Sequence, residues 1–305
     1  MKFGLEIQQL LSKKINLMTE LAFLLTSHNR KDKTYECLIS LYNSNIPDNI
    51  KFDVFLVDDG SNDGTYDLVT TNFPDVVLIN GTGQLYWAGG MRLAWNNAIS
   101  TKKYNAFILI NDDVILSEDF LFLFLNTDSF SKNKFQKSGI YSATTVSRIN
   151  NNVTYSGNRI ISNGLRLTSK RINPKNIPQA IDTVNANILW VDASVVNEIG
   201  ILDKRFKHGI ADYDYALRAK KANFPVLLTM GIGGYCENDK KSPNLNKSII
   251  NRIEYLKSPT GYSYYEYIYY LKKHYPLTLP YTIFSLWFKT IFPNTWNYFK
   301  SISND

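Results

Sequence analysis

Phe52-Asp-Val-Phe-Leu-Val-Asp-Asp-Gly-Ser-Asn-Asp-Gly-Thr65 is a short apolar run that stops abruptly in turn residues. Phe52 to Val57 has the length and composition of a buried strand, and Asp58 to Gly64 has the composition of a loop. A helix from Thr65 to about Asn72 follows, and a strand at Val76 to Ile79 comes next. Upstream, Leu21 to Thr26 (LAFLLT) is a second buried strand, ending at Ser27-His28-Asn29-Arg30. Asp32 to Asn45 then places Cys37, Leu38, Leu41 and Tyr42 at helical spacing. Downstream, a glycine-rich loop from Asn80 to Gly90 leads into a helix through Ser100. Ala106 to Ile110 is a further strand, which stops at Asn111-Asp112-Asp113.

Strands alternating with helices, each strand closing on a polar loop, predict an α/β fold with a mainly parallel sheet covered on both faces. Ligands of such sheets sit beyond the carboxyl ends of the strands. Three of those ends carry Ser27/His28, Asp58/Asp59 and Asp112/Asp113, and they are expected to converge on one cleft. From Ser138 the pattern changes. Gly139 to Val146, Val153 to Tyr155 and Arg159 to Leu167 read as antiparallel strands, and Ala180 to Val191 as another. A short helix at Ala193 to Ile199, a charged helix within Gly209 to Asn223 and a last strand at Pro225 to Met230 follow. Beyond Cys236 the chain reads as helical over Asn246 to Lys257, Ser263 to His274 and Tyr281 to about Lys300.

The chain has 305 residues, 44% apolar and 20% charged, the balance of an ordinary globular protein. Its two cysteines, Cys37 and Cys236, are far apart and lack a metal-binding spacing, which points to a reducing compartment without disulfides. Met1 to Leu21 has no continuous apolar core followed by a cleavage site, and no run reaches the roughly 18 apolar residues of a membrane span. A cytoplasmic protein is expected. The net charge of +7 favours an anionic partner. The basic residues read as dispersed and no recognition motif is visible, which argues against nucleic acid.

Adjacent carboxylates at a strand end, as in Asp58-Asp59, can accept hydrogen bonds from a pyrimidine imide or from ribose hydroxyls. The same residues also suit a tight turn and a helix cap. Asn111-Asp112-Asp113 offers hard oxygen ligands for Mg2+ or Mn2+, and a cation there can bridge two phosphates and neutralise a departing group. Gly209-Ile210-Ala211-Asp212-Tyr213-Asp214-Tyr215-Ala216-Leu217-Arg218 opens a helix. An acid at this position is a cap or dipole partner, or else a general base taking a proton from an incoming hydroxyl.

Taken in order, Thr-Ser-His-Asn-Arg (26–30), Val-Asp-Asp-Gly-Ser-Asn-Asp-Gly-Thr (57–65), Asn-Asp-Asp (111–113) and Ala-Asp-Tyr-Asp-Tyr-Ala-Leu-Arg (211–218) resemble glycosyltransferase family 2. Gly83-Gln-Leu-Tyr-Trp-Ala-Gly-Gly-Met-Arg92 is similar to its bacterial rhamnosyltransferase-like members. The likeness spans about Leu21 to Gly234. It implies the GT-A fold, a Rossmann-like mixed sheet flanked by helices, and an inverting transfer of sugar from a nucleotide diphosphate. It implies that Thr26, Ser27, His28 and Arg30 line the nucleotide pocket, with Asp58 and Asp59 at the base. Gly83, Trp87, Gly89, Gly90 and Arg92 would shape the donor site. Asp113 would ligate Mn2+ or Mg2+, with Asp112 nearer the ribose or sugar, and Asp212 would be the catalytic base. Ala211 stands where the family carries another acid, which leaves Asp214 as a rival base. Residues 1–240 would form the catalytic domain, its nucleotide-binding half at about 20–115 and its acceptor half at about 116–240. Residues 241–305 would form a helical extension.

The resemblance further implies a UDP- or dTDP-linked donor, a glycan or lipid-linked saccharide acceptor and a role in bacterial surface polysaccharide synthesis. The tail mixes aromatics with lysines (Tyr264 to His274, then Leu279 to Phe292). This suits the lipid–water boundary, and equally a helix packed on the catalytic domain or in a homodimer. A non-catalytic sugar-nucleotide or glycan binder on the same scaffold is the other functional reading.

Overall fold

The computed structural model describes residues 18–238 and 248–302. The readings on Met1 to Leu17 and on Asn246 and Lys247 lie outside the described residues. The nucleotide-binding half runs β1 (Thr19–Ser27), α1 (Lys31–Tyr42), β2 (Ile50–Asp58), α2 (Thr65–Asn72), β3 (Val76–Asn80), α3 (Tyr86–Thr101) and β4 (Ala106–Ile110). A short β5 (Ile115–Leu116), α4 (Phe120–Phe135), β6 (Ile140–Val146) and β7 (Val153–Tyr155) come next. They are followed by β8 (Asn158–Ser162), β9 (Leu167–Arg171), β10 (Gln179–Ala180), β11 (Ile188–Asp192), α5 (Ala193–Ile199), α6 (Ala211–Lys221) and β12 (Val226–Tyr235). The tail is α7 (Ile249–Lys257), α8 (Tyr264–His274), a 3-10 turn, α9 (Leu279–Ile291) and α10 (Pro293–Ile302).

One ten-stranded sheet has the order β10-β12-β6-β11-β4-β1-β2-β3, with β5 on β12 and β7 on β6. Strands β3, β2, β1 and β4 are parallel; β11 is antiparallel to both β4 and β6. The sheet is therefore mixed, and the parallel half is the expected one. The apolar runs of β1 and β4 follow from burial on both faces. Ala22, Leu24, Phe107 and Leu109 belong to one core, with α3, α6 and Tyr270 and Leu271 of α8. Leu21, Phe23, Leu25, Ile108 and Ile110 belong to the other, with α1 and α4.

Several boundaries differ from those read in the sequence; the last strand, for one, runs on to Tyr235 instead of ending at Met230. Arg159 to Leu167 is not one strand. Asn163-Gly164, with Gly164 at φ +87°, turns the chain into the β8–β9 hairpin. Ala180 to Val191 is two strands, because the chain leaves the sheet after Ala180 and returns at Ile188. Tyr281 to Lys300 is two helices, broken at Phe292-Pro293, where proline offers no amide hydrogen. The helix expected beyond Gly90 instead begins at Tyr86, for a reason that lies in the site.

Candidate functional site

The carboxyl ends of β1, β2, β3 and β4 lie side by side. Ser27 is in register with Asp58, and Asp58 with Asn80. Their loops are tied by backbone bonds, Asp59 N–H to Ser27 O (2.8 Å) and Gly81 N–H to Asp58 O (2.8 Å). Asn29 and Asp63 stitch them further, through Asn62 N–H to Asn29 Oδ1 (2.8 Å) and Lys31 N–H to Asp63 Oδ2 (2.9 Å). Asp58 is buried and closes its own turn, accepting from Ser61 N–H at 3.1 Å. The Ser27 hydroxyl is buried against that of Thr34 at 2.7 Å, and His28 Nδ1 lies 2.6 Å from the Asp59 carbonyl.

The buried Asp59 carboxylate accepts the backbone N–H groups of Gly83 (2.7 Å), Leu85 (2.8 Å) and Tyr86 (3.1 Å). Leu85 and Tyr86 open α3, so Asp59 satisfies the amides that a local cap residue would otherwise serve. That is why the helix starts ahead of Gly90. Gly83 holds φ +79° in this loop, a region open to glycine at no steric cost.

Trp87, Gly89 and Gly90 consequently lie in the first turns of α3. Trp87 Nε1 donates to Asn111 Oδ1 at 2.8 Å. Gly90 is buried, and a methyl group there would overlap the Thr26 side chain at the end of β1. Gly90→Ala is therefore expected to destabilise the protein by about 1–3 kcal/mol through overpacking. An unchanged urea midpoint and slope would show that β1 and α3 are not held this closely. Arg92 Nη1 donates to the carbonyls of Phe206 (2.7 Å) and Asp203 (3.2 Å). It ties α3 to the loop before α6.

At the end of β4, Arg30 Nη1 donates to Asp112 Oδ1 at 3.1 Å and to Asp113 Oδ2 at 2.7 Å. The guanidinium thus bridges the two carboxylates. Burial pushes the Asp112 carboxyl up to about 6, with Arg30 opposing and Asp113 adding to the rise. Its Oδ2 is buried without a hydrogen-bond partner. Cys236 Sγ lies 3.6 Å from Asp113 Oδ1, and both cysteines are free thiols. Paired hard oxygens, one of them orphaned, with a cationic group already drawn between them, fit a divalent cation. Among the described residues no cluster of three metal-ligating side chains forms.

Asp212 reaches this centre through a continuous chain of bonds. Asn111 Nδ2 donates to Asn187 Oδ1 (3.2 Å) and Asn111 N–H to Asn187 O (3.0 Å); one residue earlier, Ala186 N–H donates to Asp212 Oδ2 (3.0 Å). Ile210, a β-branched residue at φ +69°, sets the start of α6 that aims Asp212 this way. The sequence had singled out neither Asn187 nor the side chain of Asn111, since asparagines in a loop carry no periodic signal. Asp214 behaves differently. It is fully buried and receives Arg218 Nε (3.0 Å), Lys273 Nζ (2.7 Å) and His274 Nε2 (2.8 Å). Burial works against its charge, but the bonds from His274 and Lys273 hold its pKa below the ordinary carboxylate value. Asp214 is a joint between α6 and α8.

The sequence profile described as Glycosyl transferase family 2 matches residues 23–181, half of the chain. No curated protein matches it in sequence. Solved structures of similar fold include the mannosyltransferase PcManGT from Pyrobaculum calidifontis in complex with GDP-Man and Mn2+. It is 14% identical with a TM-score of 0.51, over 96% of this chain and 78% of that one. S. aureus TarS 1-349 in complex with UDP-GlcNAc is 13% identical with a TM-score of 0.51, over 79% and 67%. Another structure of TarS 1-349 is matched over 60% of its length and 72% of this chain, at 15% identity and a TM-score of 0.48. With half its length matched by one family profile and a mixed sheet carrying the paired carboxylates at the ends of its parallel strands, the chain belongs to glycosyltransferase family 2 and has the GT-A fold.

Proposed function

We propose that the protein transfers a sugar from a nucleotide diphosphate to a glycan or lipid-linked saccharide, with inversion at the anomeric carbon. The observation that carries this reading is the bonded path from the Asp112/Asp113 pair through Asn111, Asn187 and Ala186 to Asp212. It supports one pocket with a cation-binding acid pair on the donor side and a carboxylate on the acceptor side. Asp212 takes the acceptor hydroxyl proton, the acceptor oxygen bonds to the anomeric carbon, and the bond from that carbon to the diphosphate oxygen breaks. Asp112 and Asp113 would hold Mn2+ or Mg2+, which when bound supplies positive charge to the departing diphosphate. The nucleotide sugars in the TarS and mannosyltransferase structures support this donor class. The likeness of residues 83–92 to rhamnosyltransferase-like proteins favours UDP or dTDP and a role in bacterial surface polysaccharide.

Thermal-shift titrations with UDP-, dTDP- and GDP-linked sugars, each with and without Mn2+, test the reading. One class is expected to stabilise the protein, by about 2.7 kcal/mol at a hundredfold excess over its Kd, and more weakly without the cation. No response to any class would contradict it. Mn2+ affinity is expected to fall as pH drops through about 6, by up to about tenfold per unit, because protons compete for Asp112. Isothermal titration should show a flatter profile in Asp112→Asn, and an unchanged slope would remove Asp112 from the site.

No helix among the described residues is long and apolar enough to cross a membrane. Leu277, Tyr281, Phe284, Ile291 and Phe292 are exposed along α9 and its flanks. This face supports peripheral contact with the cytoplasmic side of a membrane, where a lipid-linked acceptor is presented. Phe284→Ser with Phe292→Ser is expected to abolish co-sedimentation with phosphatidylglycerol vesicles. Retained sedimentation together with a halved mass in light scattering would assign the face to a homodimer instead.

A further inference from the structure

Between Asp128 and Asp182 the sequence has nine lysines and arginines and no acidic residue, a local charge that exceeds the +7 of the whole chain. The β8–β9 hairpin lies at the centre of this segment. Its two faces differ. Ile160 and Leu167 turn inward against the first core. Arg159 stands directly opposite Lys170 in the ladder, and both are exposed. Like charges facing each other across a ladder destabilise it. Arg166 and Arg171 are exposed on the same hairpin. No carboxylate among the described residues lies within ion-pair distance of any of these four; Asp182, paired with Lys220, feels the charge of Arg159 from farther off.

The hairpin is anchored at the acceptor side of the pocket. Asn158 Nδ2 donates to the Tyr213 hydroxyl at 3.2 Å, and Tyr213 follows Asp212 in α6. Ile160 N–H donates to Asp182 Oδ2 at 2.8 Å, and Asp182 is four residues before the Ala186 that binds Asp212. The hairpin that carries the outer rung is therefore tied at two points to the segments that hold Asp212. Guanidinium groups match the oxygens of phosphate in a fork geometry, which neutral sugars do not offer.

We propose that the β8–β9 hairpin docks an acceptor saccharide bearing phosphate groups, using Arg159, Lys170 and Arg166. This rests on reading Asp212 as the acceptor-side base. A lipid surface is the less favoured occupant, because the aromatic, apolar face of α9 lies on a separate element; Ile161 and Leu165, exposed near the hairpin tip, make it the outcome to exclude.

The test uses the full chain and the double variant Arg159→Gln/Lys170→Gln, both sites being exposed. Binding is measured to phosphorylated dextran, to unmodified dextran and to phosphatidylglycerol vesicles. Phosphorylated dextran is expected to bind the wild type in a salt-sensitive manner and unmodified dextran weakly. The variant is expected to lose about tenfold in affinity for the phosphorylated probe, with its slow donor hydrolysis unchanged and its thermal midpoint held or raised, because the like-charge pair across the ladder is relieved. Equal binding of both dextrans by the wild type, or undiminished binding by the variant, overturns the proposal. So does a variant that loses only vesicle binding, which would assign the hairpin to the membrane. If Asp212→Asn keeps full transfer while the dextran result holds, the base assignment fails and the docking surface stands.

Discussion

Asp212→Asn is expected to lower transfer by about a hundredfold to ten-thousandfold while leaving donor and Mn2+ binding near wild type, the range typical of losing a positioned general base. Asparagine keeps an oxygen that can accept from Ala186 N–H, as Asp212 Oδ2 does at 3.0 Å, so the path to Asn187 and Asn111 survives. What is lost is the capacity to take a proton, together with the bond that Tyr213 N–H makes to Asp212 Oδ1. Steady-state transfer and donor affinity, measured side by side, check this. Wild-type turnover would exclude Asp212, and a parallel loss of donor affinity would place it on the donor instead.

Asp214→Ala should fail in the opposite way. The carboxylate is wholly buried beneath three basic side chains, Arg218, Lys273 and His274. Asp203, 3.1 Å from Lys273 Nζ, would still serve that lysine, but Arg218 and His274 would lose their carboxylate partner. Removing one member of such a buried group costs about 3–5 kcal/mol, because the partners stay desolvated and unpaired. For a chain of this size the thermal midpoint should fall by on the order of ten degrees. Because Asp214 is held below the ordinary carboxylate pKa, its contribution is present above the unfolded value and is lost as pH falls through the folded one. Acid unfolding of the variant should therefore lack that component. An unchanged midpoint together with abolished transfer would reverse the two roles and make Asp214 the base.

These carboxylates are two residues apart in one helix, and the sequence alone left the choice between them open. What separates them is α8, which brings Lys273 and His274 onto Asp214 from some sixty residues away. The strands β1, β2 and β4 were legible because each is an unbroken apolar run ending in turn residues, and helix Thr65–Asn72 because it follows directly on such a turn. The start of α3 was not, since its cap is Asp59, distant in sequence. The contacts of two residues were equally illegible: Arg92 holds the loop before α6, and Gly90 packs closely against Thr26. Helix α4 opens with Phe-Leu-Phe-Leu-Phe-Leu, which carries no helical period. The basic residues, dispersed when counted along the whole chain, concentrate between Asp128 and Asp182 once the acids are mapped beside them.

The central claim, a cation and a nucleotide diphosphate held together at the end of β4, is most directly tested by electron paramagnetic resonance of Mn2+. The free-ion signal is titrated with protein in the presence of UDP, dTDP or GDP, for wild type and Asp113→Asn. Wild type is expected to quench the signal with one of these nucleotides beyond what the nucleotide does alone, and Asp113→Asn is expected to lose that added binding. Equal quenching by both proteins would contradict a cation site at Asp113.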